Sequence, residues 1–304
     1  MPLSEPIPDA LSLDLLKSVA GLGSITEAAI AHRISQPAAS MRLKELERTL
    51  GLTLIDRSSG RAQLTANGLA VVEWAEVVLV AIANLQIGST ALRKGKTSHL
   101  AVGASMTVAE YLVPKWLVAL HDHDPALTVA ITMGNSSEVI RLLANGSVNL
   151  AFVEGIDYPK DLQCQIVYHD RLVVVVAPNH PWAKQNRIVS IDQLAKTPLV
   201  LRETGSGTRE VLEESLKPHG ALVTPIAELS STTAIKSAIE GRLGPAVISW
   251  LAVHDDIERG KMVEVQIEGL SLSREIRAIW RNESDLDEPT LKFLKIAKES
   301  KSAL

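Results

Sequence analysis

Gln36 and Ser40, followed at the same four-residue spacing by Lys44 and Arg48, set two short polar groups and then two cations along one stretch, SQPAASMRLKELERTLG. Amides and hydroxyls can meet base edges, and cations can meet phosphates, so the chemistry on offer is nucleic-acid recognition. Ala39, Leu43, Leu46 and Leu50 recur at helical spacing on the opposite side, which is therefore the buried one. Pro37 and Met41 share the outward side, and Ser35 stands where an N-cap is needed. A merely solvated helix face would show the same pattern, so the next residues carry the decision. LTLIDRSSGRAQLTANG reads as two short strands around a turn that holds Arg57 and Arg61. Between Arg33 and Thr65, six cations (Arg33, Arg42, Lys44, Arg48, Arg57, Arg61) stand against three acids (Glu45, Glu47, Asp56). That is a local positive patch in a chain of formal net charge −4.

A second set of residues lies where strands should end. Ser105, Met106 and Thr107 follow one apolar run; Asn135, Ser136 and Ser137 follow another; Thr204, Gly205, Ser206, Gly207 and Thr208 follow a third. Small hydroxyl residues among glycines at the start of a helix leave backbone N–H groups open to an anion. Aromatic residues make up only 3% of the chain, which favours a small polar or anionic ligand over a flat apolar one. The same GSGTR loop would be the centre of the competing reading, an enzyme or small-molecule carrier that cradles a phosphate. Against catalysis, no nucleophile elbow and no G-x-G-x-x-G after a strand is present. The HDHD run at 121 to 124 does not converge on one ion, and Cys164 has no neighbouring base. No metal, no cofactor and no enzymatic activity is expected.

The elements that position these groups follow from periodicity. With 304 residues, 46% of them hydrophobic, the chain can bury a core in each of two or three domains. Three prolines in the first ten residues give an extended lead-in. Gly23 ends one helix, Ser24 with Glu27 forms a capping box for the next, and Pro37 sits in the first turn of the third. A long helical pattern runs on to about Lys94, with Val71, Trp74, Val78, Ala81, Leu85, Gly88 and Leu92 in a heptad seam that either a partner helix or the chain's own domain would cover. Strand-like runs then alternate with helices: LAVGA (100–104), LTVAITM (127–133), NLAFVE (149–154), RLVVVVA (171–177), PLVLRE (198–203), PIAEL (225–229), PAVISW (245–250) and REIRAIW (274–280). Between the first two, one helix is expected over 107–122. The alternation predicts a mostly parallel α/β architecture in two lobes, with a last helix over about 286–300. A single cysteine excludes an intrachain disulfide, and the longest apolar run, LVVVVA, is too short to span a bilayer. The expected setting is soluble and cytoplasmic, with no membrane partner.

The segment AAIAHRISQPAASMRLKELERTLGLTLIDRSSGRAQLTANG resembles the winged helix-turn-helix of the LysR-type transcriptional regulators. Ala28, Ala29, Ser35, Gln36, Pro37, Ala38, Ser40, Leu46, Glu47, Leu50, Gly51, Leu54, Arg57, Leu64, Thr65 and Gly68 match the family pattern at fixed spacing. Met41 stands where many members carry a basic residue, and Ile55 replaces the usual aromatic. The resemblance covers essentially the whole chain. It implies a DNA-binding domain over 1–66, a linker helix over 67–95 that pairs between subunits, and a periplasmic-binding-protein-like effector domain over 96–304. Its lobes would span about 96–168 with 269–304, and about 169–268. It implies that Ser35, Gln36, Pro37, Ser40, Met41, Lys44, Arg48, Arg57, Arg61 and Thr65 serve DNA binding, and that the three hydroxyl-rich clusters hold an effector between the lobes. Expected partners are double-stranded DNA with an inverted-repeat operator, a small effector, the chain itself as a dimer that assembles further, and RNA polymerase if it activates.

Overall fold

The computed structural model describes residues 7–56, 63–93, 99–155, 159–184, 188–220, 222–282 and 286–300. Met1–Thr90 forms one compact unit, and Ala91–Ala144 with Val148–Leu304 forms the other.

The first unit packs α1 (Ala10–Leu22), α2 (Ile25–Ala31) and α3 (Gln36–Leu50) around Leu15, Leu16, Val19, Ala28, Ala29, Ala39, Leu43 and Leu46, all buried. Their ends are written in the sequence. The Asp9 carboxylate accepts the Ser12 N–H at 3.0 Å, Ser24 and Ser35 each cap the helix that follows at 3.3 Å, and Gly51 ends α3 in the left-handed region at φ 66°. Two short strands, β1 (Ile55–Asp56) and β2 (Gln63–Leu64), pair antiparallel as the wing. Glu47 Oε1 fixes the wing to α3 by accepting the N–H groups of Leu54 at 2.8 Å and Ile55 at 3.1 Å. α4 (Ala66–Arg93) leaves the wing at Thr65, whose hydroxyl donates to the Thr53 carbonyl at 2.7 Å and accepts the Gly68 N–H at 3.0 Å. A Cβ on Gly68 would stand 2.2 Å from the Leu54 carbonyl oxygen, so this crossing admits only glycine.

The second unit begins with β3 (His99–Ser105), α5 (Met106–Tyr111), α6 (Val113–His123), β4 (Thr128–Gly134), α7 (Ser136–Ala144) and β5 (Leu150–Glu154). The single helix expected over 107–122 is two, broken at Leu112 (φ −112°) before Pro114. β6 (Gln163–Val176) follows, then β7 (Ile188–Val189), α8 (Ile191–Ala195), β8 (Val200–Leu201) and α9 (Gly207–Leu216). β9 (Ala227–Glu228), α10 (Thr232–Glu240), β10 (Ala246–Ser249), α11 (Trp250–Glu258), β11 (Val263–Ile267), β12 (Ser273–Trp280) and α12 (Glu288–Glu299) complete the described order. One sheet runs β4-β3-β5-β12-β6-β10-β8-β9, with β11 also on β6 and β7 on β11.

The sheet is parallel along β4-β3-β5 and along β10-β8-β9, but antiparallel at its centre, where β12 pairs with β5 and β6 and where β6 pairs with β10 and β11. The expectation of a mostly parallel sheet therefore fails at the middle. β6 is the reason: it starts at Gln163, eight residues before the apolar run that marked it in the sequence. Its first half, QCQIVYHD, is half-exposed and polar. That half pairs with β12 in the first lobe, and its second half pairs with β10 and β11 in the second. One strand thus belongs to two cores. The first core holds Trp116, Phe152 and Phe293 in mutual contact, with ring centroids 4.8 to 6.1 Å apart. The second gathers Leu194, Leu199, Leu201 and Leu212 against Val174 and Val176.

Because Phe293 comes from α12 at the far end of the sequence, the first lobe is closed only when the chain returns. Phe293→Ala should lower the unfolding free energy by about 3–5 kcal/mol, read by denaturant titration. A loss below about 1 kcal/mol would mean that α12 does not seal this core.

Candidate functional site

In the first unit, α3 spends one side on the core and presents the other. Gln36, Pro37, Met41, Lys44 and Arg48 are exposed, Met41 at 71%, and Gln36 Nε2 donates to Ser40 Oγ at 3.0 Å. Ser35 is spent as the cap of α3 and Thr65 as the junction of wing and α4, so these two hold the frame. Arg48 is already paired: its guanidinium donates to both Glu45 oxygens, at 3.0 and 2.5 Å. The hydrogen bond from Arg48 holds the Glu45 carboxyl below its ordinary range, and the same bond raises the Arg48 guanidinium. Lys44, on the same side, is exposed. Arg57 and Arg61 lie outside the described residues.

The heptad reading of α4 needs one correction. Val71 is buried at 5% exposure in this unit's own core, beside Ala75, because the first turns of α4 pack under α1 to α3. The outward stripe starts later, at Trp74 (67% exposed), and continues through Val77, Val78, Ala81 and Leu85 (73%). The side chain of Leu92 lies outside the described residues.

In the second unit the three hydroxyl-rich clusters converge at the C-terminal ends of β3, β4 and β8, where the lobes meet. The Ser137 N–H donates to the Gly205 carbonyl at 3.1 Å, and Ser136 Oγ donates to the Glu154 carbonyl at 2.6 Å. Asn135 and Glu138 form a reciprocal cap on α7, at 2.9 and 2.8 Å. Gly205 takes φ 89°, and a Cβ on Gly207 would stand 1.8 Å from the Glu154 carbonyl oxygen. The two glycines of GSGTR thus serve the close approach of one lobe to the other. Thr204 is exposed and Met106 half-buried at the rim.

At the centre is a residue that the sequence reading passed over. Arg274, with a side chain 1% exposed, sits at the start of β12 where the sheet passes from one lobe to the other. Its guanidinium donates to Asp170 Oδ2 at 2.9 Å from Nε and lies 2.8 Å from it through Nη2. It also donates to Thr208 Oγ1 at 2.9 Å and Thr107 Oγ1 at 3.4 Å, and lies 3.5 Å from Glu154 Oε1. Ser249 Oγ adds a 2.7 Å bond to Asp170 Oδ2. Thr107 and Thr208 are therefore acceptors toward Arg274, which keeps their own protons available to an incoming oxygen. Nearby cations are matched: Arg202 by Glu203 at 2.8 Å, and Arg277 by Glu275. The sequence carries only a weak signal for the partners of Arg274: Glu154 ends the NLAFVE run and Asp170 precedes the RLVVVVA run. Tyr111 of α5 packs against the second lobe, and burial first, then the charges of Glu110 and Asp256, push its phenol up to about 12. Among the described residues no metal-ligating cluster is present, and no helix is long and apolar enough to cross a membrane.

Residues 11–69 match "Bacterial regulatory helix-turn-helix protein, lysR family", and residues 93–302 match "LysR substrate binding domain". Rv2282c of Mycobacterium tuberculosis, an uncharacterized HTH-type transcriptional regulator, is 36% identical over 289 residues, covering 92% of this chain and 93% of the relative. The regulatory domain of CcmR from Synechocystis PCC6803, solved in complex with 2-PG, is 24% identical at TM-score 0.62, covering 67% of this chain and all of that one. CbnR, a regulator solved with its target DNA, is 20% identical at TM-score 0.69, covering 96% of this chain and 99% of its own. The two structures share the fold. The reading of an enzyme or carrier built on GSGTR finds no support in these matches.

The glycine contact makes a direct test of lobe closure. Gly207→Ala must push the start of α9 off β5, and should destabilise the second unit by about 1–3 kcal/mol in calorimetric melting. Wild-type melting would mean that the lobes do not meet at Gly207 in solution.

Proposed function

This chain belongs to the LysR family of helix-turn-helix transcriptional regulators, and from that premise we propose how it reads DNA, pairs with itself and takes its effector. It is a DNA-binding transcriptional regulator with an effector-binding domain. The reading helix is α3. The observation that carries this is its division of labour: Ala39, Leu43 and Leu46 are buried, while Gln36, Met41 and Lys44 are exposed on the other side. Gln36 and Ser40 meet base edges, Lys44 meets phosphate, and Arg57 and Arg61 reach the backbone from the wing. The complex of CbnR with its target DNA supports DNA as the partner of this fold. Arg48 contributes less charge than its position suggests, since Glu45 already holds it.

The apolar stripe of Trp74, Val77, Val78, Ala81 and Leu85 is the surface by which α4 pairs with a second copy, because a row of large apolar groups along a helix seeks cover. The resulting dimer sets two reading helices on an inverted-repeat operator. Assembly to tetramers, a cytoplasmic setting and contact with RNA polymerase on activation extend the same reading. So does the division into a head over 1–66, a linker over 67–95 and an effector domain over 96–304.

The effector is a small molecule with anionic oxygens, held between the lobes by the N-termini of α7 and α9, by the hydroxyls of Thr107 and Thr208 on Arg274, and by Ser105 at the end of β3. The 2-PG held by the CcmR regulatory domain supports a small-molecule ligand at this fold.

Two measurements test the DNA-binding half. Gln36→Ala should weaken binding to the specific site by about 1–3 kcal/mol while sparing random DNA, and equal losses on both would remove Gln36 from base reading. Val78→Asp should place a charge in the paired stripe and yield monomers in sedimentation; a variant that sediments as wild type would refute pairing through α4.

A further inference from the structure

We infer that the ligand of the cleft is an oxyanion that keeps one O–H or N–H and donates it to Glu154 Oε2. This rests on the reading of the cleft given above and specifies its ligand. Two buried polar atoms at the site have no hydrogen-bond partner, Ser105 Oγ and Glu154 Oε2, on residues 2% and 3% exposed. They stand at the C-terminal ends of β3 and β5, which are neighbours in the sheet.

Ser105 is at the N-cap of α5 yet makes no side-chain capping bond, whereas Ser24, Ser35, Ser190, Ser231 and Ser249 all cap the helices they precede. Ser206, at the N-cap of α9, likewise makes no capping bond, so the two N-cap serines whose hydroxyls are not used for capping both stand at strand ends of this site. Glu154 poses a sharper problem. Arg274 is committed to Asp170 through two nitrogens and to Thr107 and Thr208, and it reaches only Glu154 Oε1, at 3.5 Å. The buried cluster of Arg274, Asp170 and Glu154 holds one cation and two carboxylates. An ionised carboxylate oxygen is an acceptor only, so what completes it is a donor. The α7 and α9 N-termini and the threonine hydroxyls ask for the opposite, negatively charged oxygen. A ligand that meets both demands is either a protonated inorganic oxyanion or a carboxylate with a hydroxyl or ammonium beside it. A fully deprotonated oxyanion would set oxygen against oxygen at Glu154 and be rejected.

The test is calorimetric titration of the full chain at pH 7 with matched probes. Inorganic phosphate keeps an O–H at that pH and inorganic sulfate does not; glycolate carries the hydroxyl that acetate lacks. The expected result is a preference of about tenfold or more for the donor-bearing member of one pair, and which pair shows it separates the inorganic from the organic source. In Glu154→Gln, where an amide can turn an N–H toward the ligand, that preference should collapse. Ser105→Ala should weaken the preferred probe without lowering the melting temperature of the ligand-free protein, since its hydroxyl has no partner to lose. Equal binding within both pairs, or a preference unchanged in Glu154→Gln, overturns the inference while leaving the cleft as an anion site. A lower melting temperature for Ser105→Ala also overturns it, by showing that the protein itself employs the hydroxyl. If none of the four probes binds, the anionic-effector reading falls as well.

Discussion

A guanidinium taken out of water must be surrounded by acceptors, and in the effector domain Arg274 imposes that requirement on both lobes at once. Burial of an unpaired charge would cost several kcal/mol, so Asp170 on β6 has to stand beside it and Ser249 has to hold Asp170. Thr107 and Thr208 complete the shell from α5 and α9, one from each lobe. The position follows from topology. Only near Asp170 and Arg274 do β6 and β12 run side by side at the point where pairing passes from one core to the other. The glycines of GSGTR answer to the same constraint, because Thr208 reaches Arg274 only if Gly207 lets α9 settle on the Glu154 carbonyl.

The DNA-binding unit solves a simpler problem by the same economy of faces. A short three-helix core needs Ala39, Leu43 and Leu46 from α3, and that leaves the opposite side of the helix unconstrained by folding. Its residues are then free to be chosen for what they meet outside. Glu47 looks like one more surface acid in the sequence, yet it accepts two backbone N–H groups from the wing strand and so fixes the hairpin to α3. The positive patch is therefore smaller in effect than a charge count suggests, since Glu45 also engages Arg48.

What was legible in the sequence was local. Caps at Ser24 and Ser35, the stop at Gly51, the apolar rows of α3 and the hydroxyl clusters at the strand ends each depend on a few neighbouring residues, and the structure has them where periodicity put them. What escaped depends on contacts between distant segments. Arg274, Asp170 and Glu154 are ordinary charged residues in sequence, 104 and 120 positions apart from the arginine respectively only by chain count, and nothing in their spacing reveals that the sheet brings them together. The polar first half of β6 hid a strand because its exposed and buried residues do not alternate. Val71 lies on the heptad row yet packs into its own unit's core, because a heptad row cannot tell a partner helix from the chain's own core.

The contacts that hold the lobes closed also set the scale on which a ligand can act. They include two polar bonds, from the Ser137 N–H to the Gly205 carbonyl and from Arg274 to Thr208, and the packing of Tyr111 on the second core. Each bond is worth about 0.5–1.5 kcal/mol net, somewhat more where the guanidinium takes part, so closure rests on a few kcal/mol. Reversing a hundredfold bias between two arrangements requires about 5.5 kcal/mol of differential binding. A small ligand that makes two or three charge-assisted bonds in one arrangement and not in the other supplies energy of that order. A large apolar interface between the lobes would have put the equilibrium beyond the reach of such a ligand. If the lobes exchange between two arrangements, the polar bonds around Arg274 set a smaller gap between them than a continuous apolar interface would, and that gap is what a bound effector has to overcome.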